Sequence, residues 1–280
     1  MRSVRKIAAA GIVAALAAVS FAPAATAAPP PEFEDFLPCP WENVEITDCV
    51  HWVFNDGSYT IGSKTVPVVN TITLHGGYTG EALEDQFHAP QNGDTLSKTP
   101  QPVPGGLLGV TAPTAWPMFL QEWWNEMIGT GFTGVNATIE LAEPATAIEL
   151  SYENLLEEEG TTLGLPVKIK LDNAILGANC YIGSNEEPVE LALSTGKSGS
   201  LTGTPGTLSF NPKFTIFTFT GIEVVDGTYA LPGADGCGGI FSEFVDPLVD
   251  SIFGLPSASE ENAATFEGVL RDASATAMRD

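Results

Sequence analysis

Apolar and polar residues alternate with a period of two in several separate stretches of this chain. In 135–141, for example, Val135 and Ile139 interleave with Asn136 and Glu140. Side chains along a strand point to opposite faces, so this pattern predicts strands with one buried face and one solvated face. Such half-buried strands are typical of antiparallel sheets. The same alternation recurs in 148–153, 167–171 and 189–193, and less regularly in 65–74.

The stretch 214–219 follows a different pattern, because its apolar residues fall on both parities. Phe214, Ile216, Phe217 and Phe219 would point to both faces of a strand, which predicts a strand covered on both sides. The 29 Gly and 21 Pro residues interrupt the strand-like runs at short intervals, as all-β folds require. The expected fold class is therefore all-β, an antiparallel β-sandwich or barrel with one or two short packed helices.

Two stretches have helical spacing. The first, 116–128, carries apolar residues on one face, and the second, 241–253, is weaker because Pro247 interrupts it. In the first helix we expect Leu120, Trp124 and Met127 to face the sheet, and Glu122 and Glu126 to lie in solvent.

The first helix also contains an unusual concentration of tryptophan. Trp116, Trp123 and Trp124 are interpreted as core, because an aromatic stripe on a helix is more often buried than exposed. The alternative is an exposed interaction patch for a partner or a glycan, since tryptophan is enriched at binding hot spots.

The N-terminus has the features of a secretory signal peptide. Arg2, Arg5 and Lys6 precede an uncharged, Ala-rich run that ends in the small residues 25–27. We expect cleavage after Ala27 and a secreted or envelope-associated protein with no membrane span in the mature chain. The expected organisation is a signal peptide at 1–27, an extended N-terminal segment at 28–48, a single β-rich domain at 49–272 and a C-terminal tail at 273–280.

Four cysteines all lie after the expected cleavage site. An even count in an exported chain predicts two disulfides. Three pairings are possible, and proximity in the sequence favours Cys39 with Cys49 and Cys180 with Cys237. The sequence contains no C-x-x-C pair or Cys-His cluster, so a zinc site is not expected.

The charge balance restricts the partners of the chain. It carries 35 Asp and Glu against 11 Lys and Arg, a formal net charge of −24. Such a field repels nucleic acid and anionic lipid headgroups, so we expect no nucleic-acid partner. Lys168 and Lys170 share the solvent face of one predicted strand. We expect strand 166–171 to lie between acidic strands, with 147–153 as the favoured neighbour.

The second half contains four distinctive segments: 163–173 (LGLPVKIKLDN), 180–184 (CYIGS), 232–239 (PGADGCGG) and 254–257 (GLPS). Together they resemble a group of uncharacterised secreted proteins of actinobacteria. The resemblance implies an exported protein in which Cys180 and Cys237 are paired family positions. It implies no catalytic residue, because no activity is assigned to that group. The tryptophan segment 116–132 departs from the pattern.

No motif for catalysis or for a cofactor is convincing. His51, His75 and His88 could serve a serine triad, but no G-x-S-x-G elbow is present. The acidic run 157–159 is interpreted as a solvated loop, and the Asp-Gly pairs as turns rather than calcium loops. We therefore expect no catalytic, cofactor-binding or metal-binding residue.

The functional expectation is a non-enzymatic extracellular or envelope-associated protein. The first alternative is a ligand-binding module with an apolar cavity between the sheet and the aromatic helix, which would take a small apolar ligand. The second alternative is a hydrolase that uses a pair of acids.

Overall fold

The computed structural model describes residues 29–80, 86–109, 111–129 and 133–280. The expected signal peptide, 1–27, lies outside the described residues. The described chain consists mostly of antiparallel strands in two sheets, with a few short helices, so the all-β prediction is confirmed. The two sheets form a sandwich, the first of the two expected architectures.

The strands are numbered in chain order. The first sheet contains β1 (Asp48–Ile61), β2 (Lys64–Pro67), β3 (Ile72–Thr79), β4 (Gln86–His88), β13 (Thr207–Phe210), β14 (Ile216–Asp226) and β16 (Ala264–Ser274). The second contains β5 (Gln101–Pro102), β6 (Asn136–Leu141), β7 (Glu149–Leu150), β8 (Leu163–Asp172), β9 (Tyr181–Ile182), β10 (Val189–Leu193) and β15 (Ala234–Asp235). A separate small hairpin pairs β11 (Lys197–Ser198) with β12 (Leu201–Thr202).

Strand order places the two ends of the domain together. The first sheet runs β13-β14-β16-β1-β3-β4, with β2 also paired to β1. The last strand, β16, therefore lies between β1 and β14, at the centre of the sheet. The second sheet runs β15-β9-β8-β6-β5, and β7 and β10 also pair with β8.

The main core lies between the two sheets. Trp52 and Phe54 from β1 and Val167 from β8 are almost fully buried there. Two spaces between the sheets, beside Phe54 and beside Tyr59, measure about 10 Å³ each. At these two places the described side chains fill the interior and leave no room for a ligand.

A second core covers the opposite face of the first sheet. It brings together the 3-10 helix Pro31–Phe36, the Cys39–Cys49 disulfide, Ile216 and Met278. Phe33 and Phe36 are 2% and 1% exposed. The expectation of an extended segment at 28–48 is therefore wrong for the 3-10 helix, because its two phenylalanines cover an apolar sheet face that water would otherwise reach.

The C-terminal residues also differ from the expected tail. Strand β16 continues to Ser274, and α4 (Ala275–Arg279) follows with Ala275 and Met278 buried. The Ser274 side chain accepts a hydrogen bond from the Ala277 amide, which caps this helix. Residues 273–280 therefore belong to the folded domain.

Both predicted helices are present, and a third occurs where a strand was expected. The predicted pair are α1 (Met118–Gly129) and α3 (Ser242–Phe253), with Pro247 inside α3. The stretch 148–153 is strand only at Glu149–Leu150, because α2 (Tyr152–Glu157) begins directly after it. Ser151 caps α2 by accepting a hydrogen bond from the Asn154 amide, a local signal that overrides the short alternation.

Strand β14 is covered on both faces at its start, as the mixed parity predicted. Ile216 belongs to the second core, whereas Phe219 belongs to the main core. The strand continues past Gly221, whose φ of 70° accompanies a register shift against β16. Phe214 lies before the strand and is exposed.

The lysine-bearing strand β8 has acidic neighbours, but not in the expected order. Lys168 lies opposite Glu140 of β6, while β7 pairs only with the first residues of β8. The favoured neighbour, 147–153, was therefore wrong along most of the strand, because only Glu149–Leu150 of this stretch is strand and α2 begins at Tyr152. The lysines bind elsewhere as well: Lys168 to Asn185 at 2.8 Å and Lys170 to Asp172 at 2.7 Å.

The two disulfides have the pairing that sequence proximity favoured. Cys39 is bonded to Cys49 and Cys180 to Cys237, with Cα–Cα distances of 5.7 and 4.1 Å. The first bond anchors the N-terminal segment to β1. The second links the start of β9 to the loop that follows β15. Among the described residues, no helix is long and apolar enough to cross a membrane.

Candidate ligand-binding site

The candidate site is a pocket at one end of the sandwich, which we call the aromatic pocket. It has a volume of about 410 Å³, within the range of small-molecule sites. Its described lining consists of Asp48, Tyr78, Gly80, Tyr152, Leu156, Leu208, Phe210, Phe217, Phe219 and Asp272.

Strand alternation in the first sheet positions the floor of the aromatic pocket. Asp272 of β16 lies opposite Val50 on one side and Phe217 on the other. Asp48 lies opposite Tyr78 at the start of β1. Because side chains two residues apart share a face, Asp48 and Asp272 both lie on the face that carries Trp52. Both carboxyls thus occupy positions where this strand pattern otherwise places apolar side chains.

Aromatic rings in edge-to-face contact form the walls. The Tyr152 ring lies 5.5 Å from Phe217 and 6.2 Å from Tyr78, and Phe217 lies 6.0 Å from Phe219. These pairs have interplanar angles of 81–88°, the geometry that aromatic quadrupoles favour. The rim is more open, since Leu156, Leu208 and Phe210 are exposed.

A buried carboxyl is the distinctive polar group of the aromatic pocket. Asp272 is 1% exposed, and its Oδ2 accepts a hydrogen bond of 2.5 Å from the Tyr152 hydroxyl. Its Oδ1 is buried and has no hydrogen-bond partner among the described residues. An unsatisfied buried acceptor costs about 1–3 kcal/mol, so such an atom calls for an explanation.

The surroundings make ionisation of Asp272 unfavourable. Burial raises the pKa of the Asp272 carboxyl well above its usual range, and the nearby charge of Asp48 adds to the rise, whereas the hydrogen bond from Tyr152 opposes it. Burial also raises the pKa of Asp48. The pKa of Tyr152 is raised as well, by burial first and then by Asp272.

Other parts of the molecule are less suited to bind a small molecule. A larger groove of about 630 Å³ lies along 146–151 with Asn154 and Thr161, but no aromatic ring lines its described part. Within the described residues, no group of three or more His, Cys, Asp or Glu could hold a metal ion.

The tryptophan helix does not line the aromatic pocket. None of the described side chains of α1 is buried: Leu120 and Trp123 are exposed, and Trp124 is half-buried with Trp116 edge-on at 5.7 Å. The expectation that Leu120 faces the sheet is therefore wrong. Glu122 and Glu126 are exposed as expected, and the Met127 side chain lies outside the described part. Whether Trp116, Trp123 and Trp124 serve as an interaction patch stays a prediction.

The histidines do not assemble a catalytic site with the aromatic pocket. His51 and His75 stack at 4.4 Å on the opposite face of the first sheet, under Phe36. His88 lies on β4, opposite Gly77. The sequence analysis placed the alternative apolar cavity beside the tryptophan helix α1, whereas the aromatic pocket lies beside α2.

The residues of the aromatic pocket were not identified in the sequence, although a signal was present. Asp272 lies on the same face of β16 as the apolar residues Phe266 and Leu270. Asp48 lies on the same face of β1 as Val50 and Trp52. An acid on the apolar face of a strand is the pattern that could have marked them.

No model of a known family matches the chain, and no curated protein or solved structure matches it either.

Proposed function

We propose that this chain is an exported binding module that takes a small, mostly apolar ligand into the aromatic pocket. The observation that carries the proposal is the combination of a 410 Å³ space, aromatic walls and one buried carboxyl with a free oxygen. Ligand sites have this composition: an apolar lining with a few polar groups that set orientation.

Export is supported by residues outside the pocket. The basic and Ala-rich N-terminus has the pattern of a signal peptide. Two disulfides are typical of proteins that work in oxidising compartments. The resemblance to secreted actinobacterial proteins agrees with this assignment.

Acid-dependent hydrolysis is a second candidate, because Asp48 and Asp272 line the same pocket and both have raised pKa values. Paired carboxyls in different environments can divide acid and base roles. However, the Tyr78 hydroxyl already donates to the Leu150 carbonyl, and the Tyr152 hydroxyl to Asp272. Few groups remain to orient a sugar or a peptide, so binding is favoured over turnover.

The test uses N-phenyl-1-naphthylamine, a neutral apolar probe whose fluorescence rises in a dry site. Leu156→Trp and Leu208→Trp narrow the pocket from two sides of its rim, and each should weaken probe binding at least about tenfold. Leu248→Trp on α3 is the matched control, because Leu248 is 58% exposed and Leu156 is 56% exposed.

Native mass spectrometry of the secreted protein should in addition detect a retained small molecule. The proposal is wrong if the wild-type protein neither binds the probe nor retains a ligand. It is also wrong if both rim variants bind the probe as tightly as the Leu248→Trp control.

A further inference from the structure

The polar groups of the aromatic pocket indicate which chemical class of ligand it takes. We infer that the pocket recognises an organic cation, an ammonium group attached to an apolar body, with Asp272 and Asp48 as its counter-charges. This inference rests on the proposed function, since it names the ligand class of the same pocket.

The first argument is the free oxygen of Asp272. The Tyr152 hydroxyl holds the side chain at Oδ2, whereas the buried Oδ1 has no hydrogen-bond partner among the described residues, and Asp272 belongs to the lining of the pocket. A ligand that donates a charge-assisted hydrogen bond, or places a positive charge, at this atom would satisfy it. The unpartnered oxygen thus indicates where the polar end of the ligand lies.

The second argument is the sign of the charge. Two carboxyls line the pocket, and its described lining contains no Lys, Arg or His. The chain as a whole has a formal net charge of −24, which concentrates cations and repels anions. An anionic ligand would therefore meet repulsion both at a distance and in the pocket.

The third argument is the nature of the walls. Tyr78, Tyr152, Phe217 and Phe219 form a continuous series of edge-to-face rings around the carboxyls. Ring faces attract cations, and aromatic residues with nearby acids are the usual lining for quaternary ammonium groups. The apolar body of the ligand would lie toward Leu156, Leu208 and Phe210 at the rim.

The alternative occupant is a neutral ligand with an acceptor group, bound to protonated Asp272. The two ligand classes have opposite pH dependence. A cation favours ionised Asp272, so its binding should release protons and weaken as the pH falls. A neutral acceptor favours protonated Asp272, so its binding should weaken as the pH rises. The described titratable groups that line the pocket with Asp272 are Asp48 from β1, Tyr78 from β3 and Tyr152 from α2.

Three naphthalene probes of matched shape distinguish these cases. They are (2-naphthylmethyl)trimethylammonium, 2-naphthylmethanol and 2-naphthylacetate, titrated by calorimetry at pH 8 and pH 5.5. We expect the ammonium to bind at least about tenfold more tightly than the alcohol at pH 8, and the carboxylate to bind weakest. Asp272→Asn should reduce the ammonium preference to about twofold or less, and Asp48→Asn should reduce it partly.

Glu122→Gln on α1 is the control, because it removes one negative charge from an exposed site away from the pocket. It should leave the ammonium preference unchanged. The inference is overturned if the alcohol binds as tightly as the ammonium, or if Asp272→Asn keeps the preference. If the alcohol binds as tightly as the ammonium and both lose affinity in Leu156→Trp, the binding function stands and only the ligand class is wrong. Failure of all three probes would overturn the inference, whereas the binding function is decided separately by N-phenyl-1-naphthylamine binding and by a retained ligand.

Discussion

The Tyr152 hydroxyl donates a 2.5 Å hydrogen bond to Oδ2 of Asp272, although 120 residues separate them in the chain. Tyr152 begins α2, between two strands of the second sheet, and Asp272 lies near the end of β16 in the first. The bond joins the two sheets at the aromatic pocket. It also holds the carboxyl in place, and Oδ1 has no hydrogen-bond partner within the described part of the chain.

The buried carboxyl should reduce the stability of the empty protein at neutral and alkaline pH. The folded-state pKa of Asp272 lies above its unfolded value. The contribution of this carboxyl to the free energy of unfolding is therefore fully present below the unfolded pKa, and it is lost as the pH rises through the folded pKa. Asp272→Asn stays neutral throughout. We expect the variant to be about 1–3 kcal/mol more stable than the wild-type protein at pH 8, with little advantage near pH 4.

Urea unfolding of ligand-free protein between pH 4 and pH 8 measures this difference. Glu122→Gln controls for the change in net charge and should show little gain. A variant that is less stable than the wild type at pH 8 would contradict the prediction. A gain in stability together with a loss of cation binding would mark Asp272 as a residue kept for binding.

The stacked histidines should make the protein sensitive to acid. The pKa of His51 is lowered to about 4, first by burial and then by the adjacent His75, while Asp35 opposes the shift. A base with a lowered folded-state pKa contributes stability above its unfolded pKa of 6.5, and this contribution is lost as the pH falls toward 4.

His51→Gln removes this titration and should flatten the decline in the free energy of unfolding between pH 6.5 and pH 4. The difference should be about 1–2 kcal/mol, after allowance for the partial exposure of the ring. Urea unfolding at several pH values measures it. His88→Gln on β4, outside the stacked pair, is the control and should keep the decline; equal slopes for the wild type and His51→Gln would refute the prediction.

The two disulfides should differ in their contribution to stability. Cys180 and Cys237 are 57 residues apart, whereas Cys39 and Cys49 are 10 apart. The longer loop has more entropy in the unfolded chain, so the paired Cys→Ala variants should lose about 4 and 3 kcal/mol respectively. Guanidinium unfolding under non-reducing conditions tests this order. A greater loss for the Cys39 and Cys49 pair would show that loop entropy does not set the ranking.

The charged face of β8 should contribute a small, salt-dependent amount of stability. Lys168 lies opposite Glu140, and Lys170 pairs with Asp172. Replacing both lysines with Glu should lower the free energy of unfolding by about 1 kcal/mol at low salt, with partial recovery at high salt. Thermal unfolding at two salt concentrations measures the effect. The double substitution of Lys98 and Lys197 by Glu changes the net charge equally outside β8, so an equal loss there would contradict the prediction.

Local patterns were sufficient for several strands, among them β6, β8 and β10, for the two longer helices and for the disulfides. The alternation in 135–141 and 189–193 corresponds to β6 and β10, because a strand buried on one face needs this period. The stretch 148–153 failed because Ser151 offers a cap to the following amides, and six residues of alternation are too few to outweigh it.

Burial of the ends could not be predicted from local patterns. The segment around Phe33 and Phe36 has Pro and acidic residues typical of a linker, yet it covers the outer face of the first sheet. The tryptophan helix has the periodicity of a packed helix, yet Leu120 and Trp123 are exposed. In both cases the deciding factor is whether another apolar surface lies opposite, which periodicity does not record.

The sequence by itself determined the all-β class, the two disulfide partners and the strongly acidic character of the chain. Each depends on residues close together in the sequence or on a simple count. The aromatic pocket was decided only by the tertiary structure. Asp48, Tyr152 and Asp272 come from the start, the middle and the end of the domain, and they meet because β16 inserts between β1 and β14 while α2 packs over that end of the sheet. The pocket depends on strand order, and strand order is set by long-range pairing that no local pattern encodes.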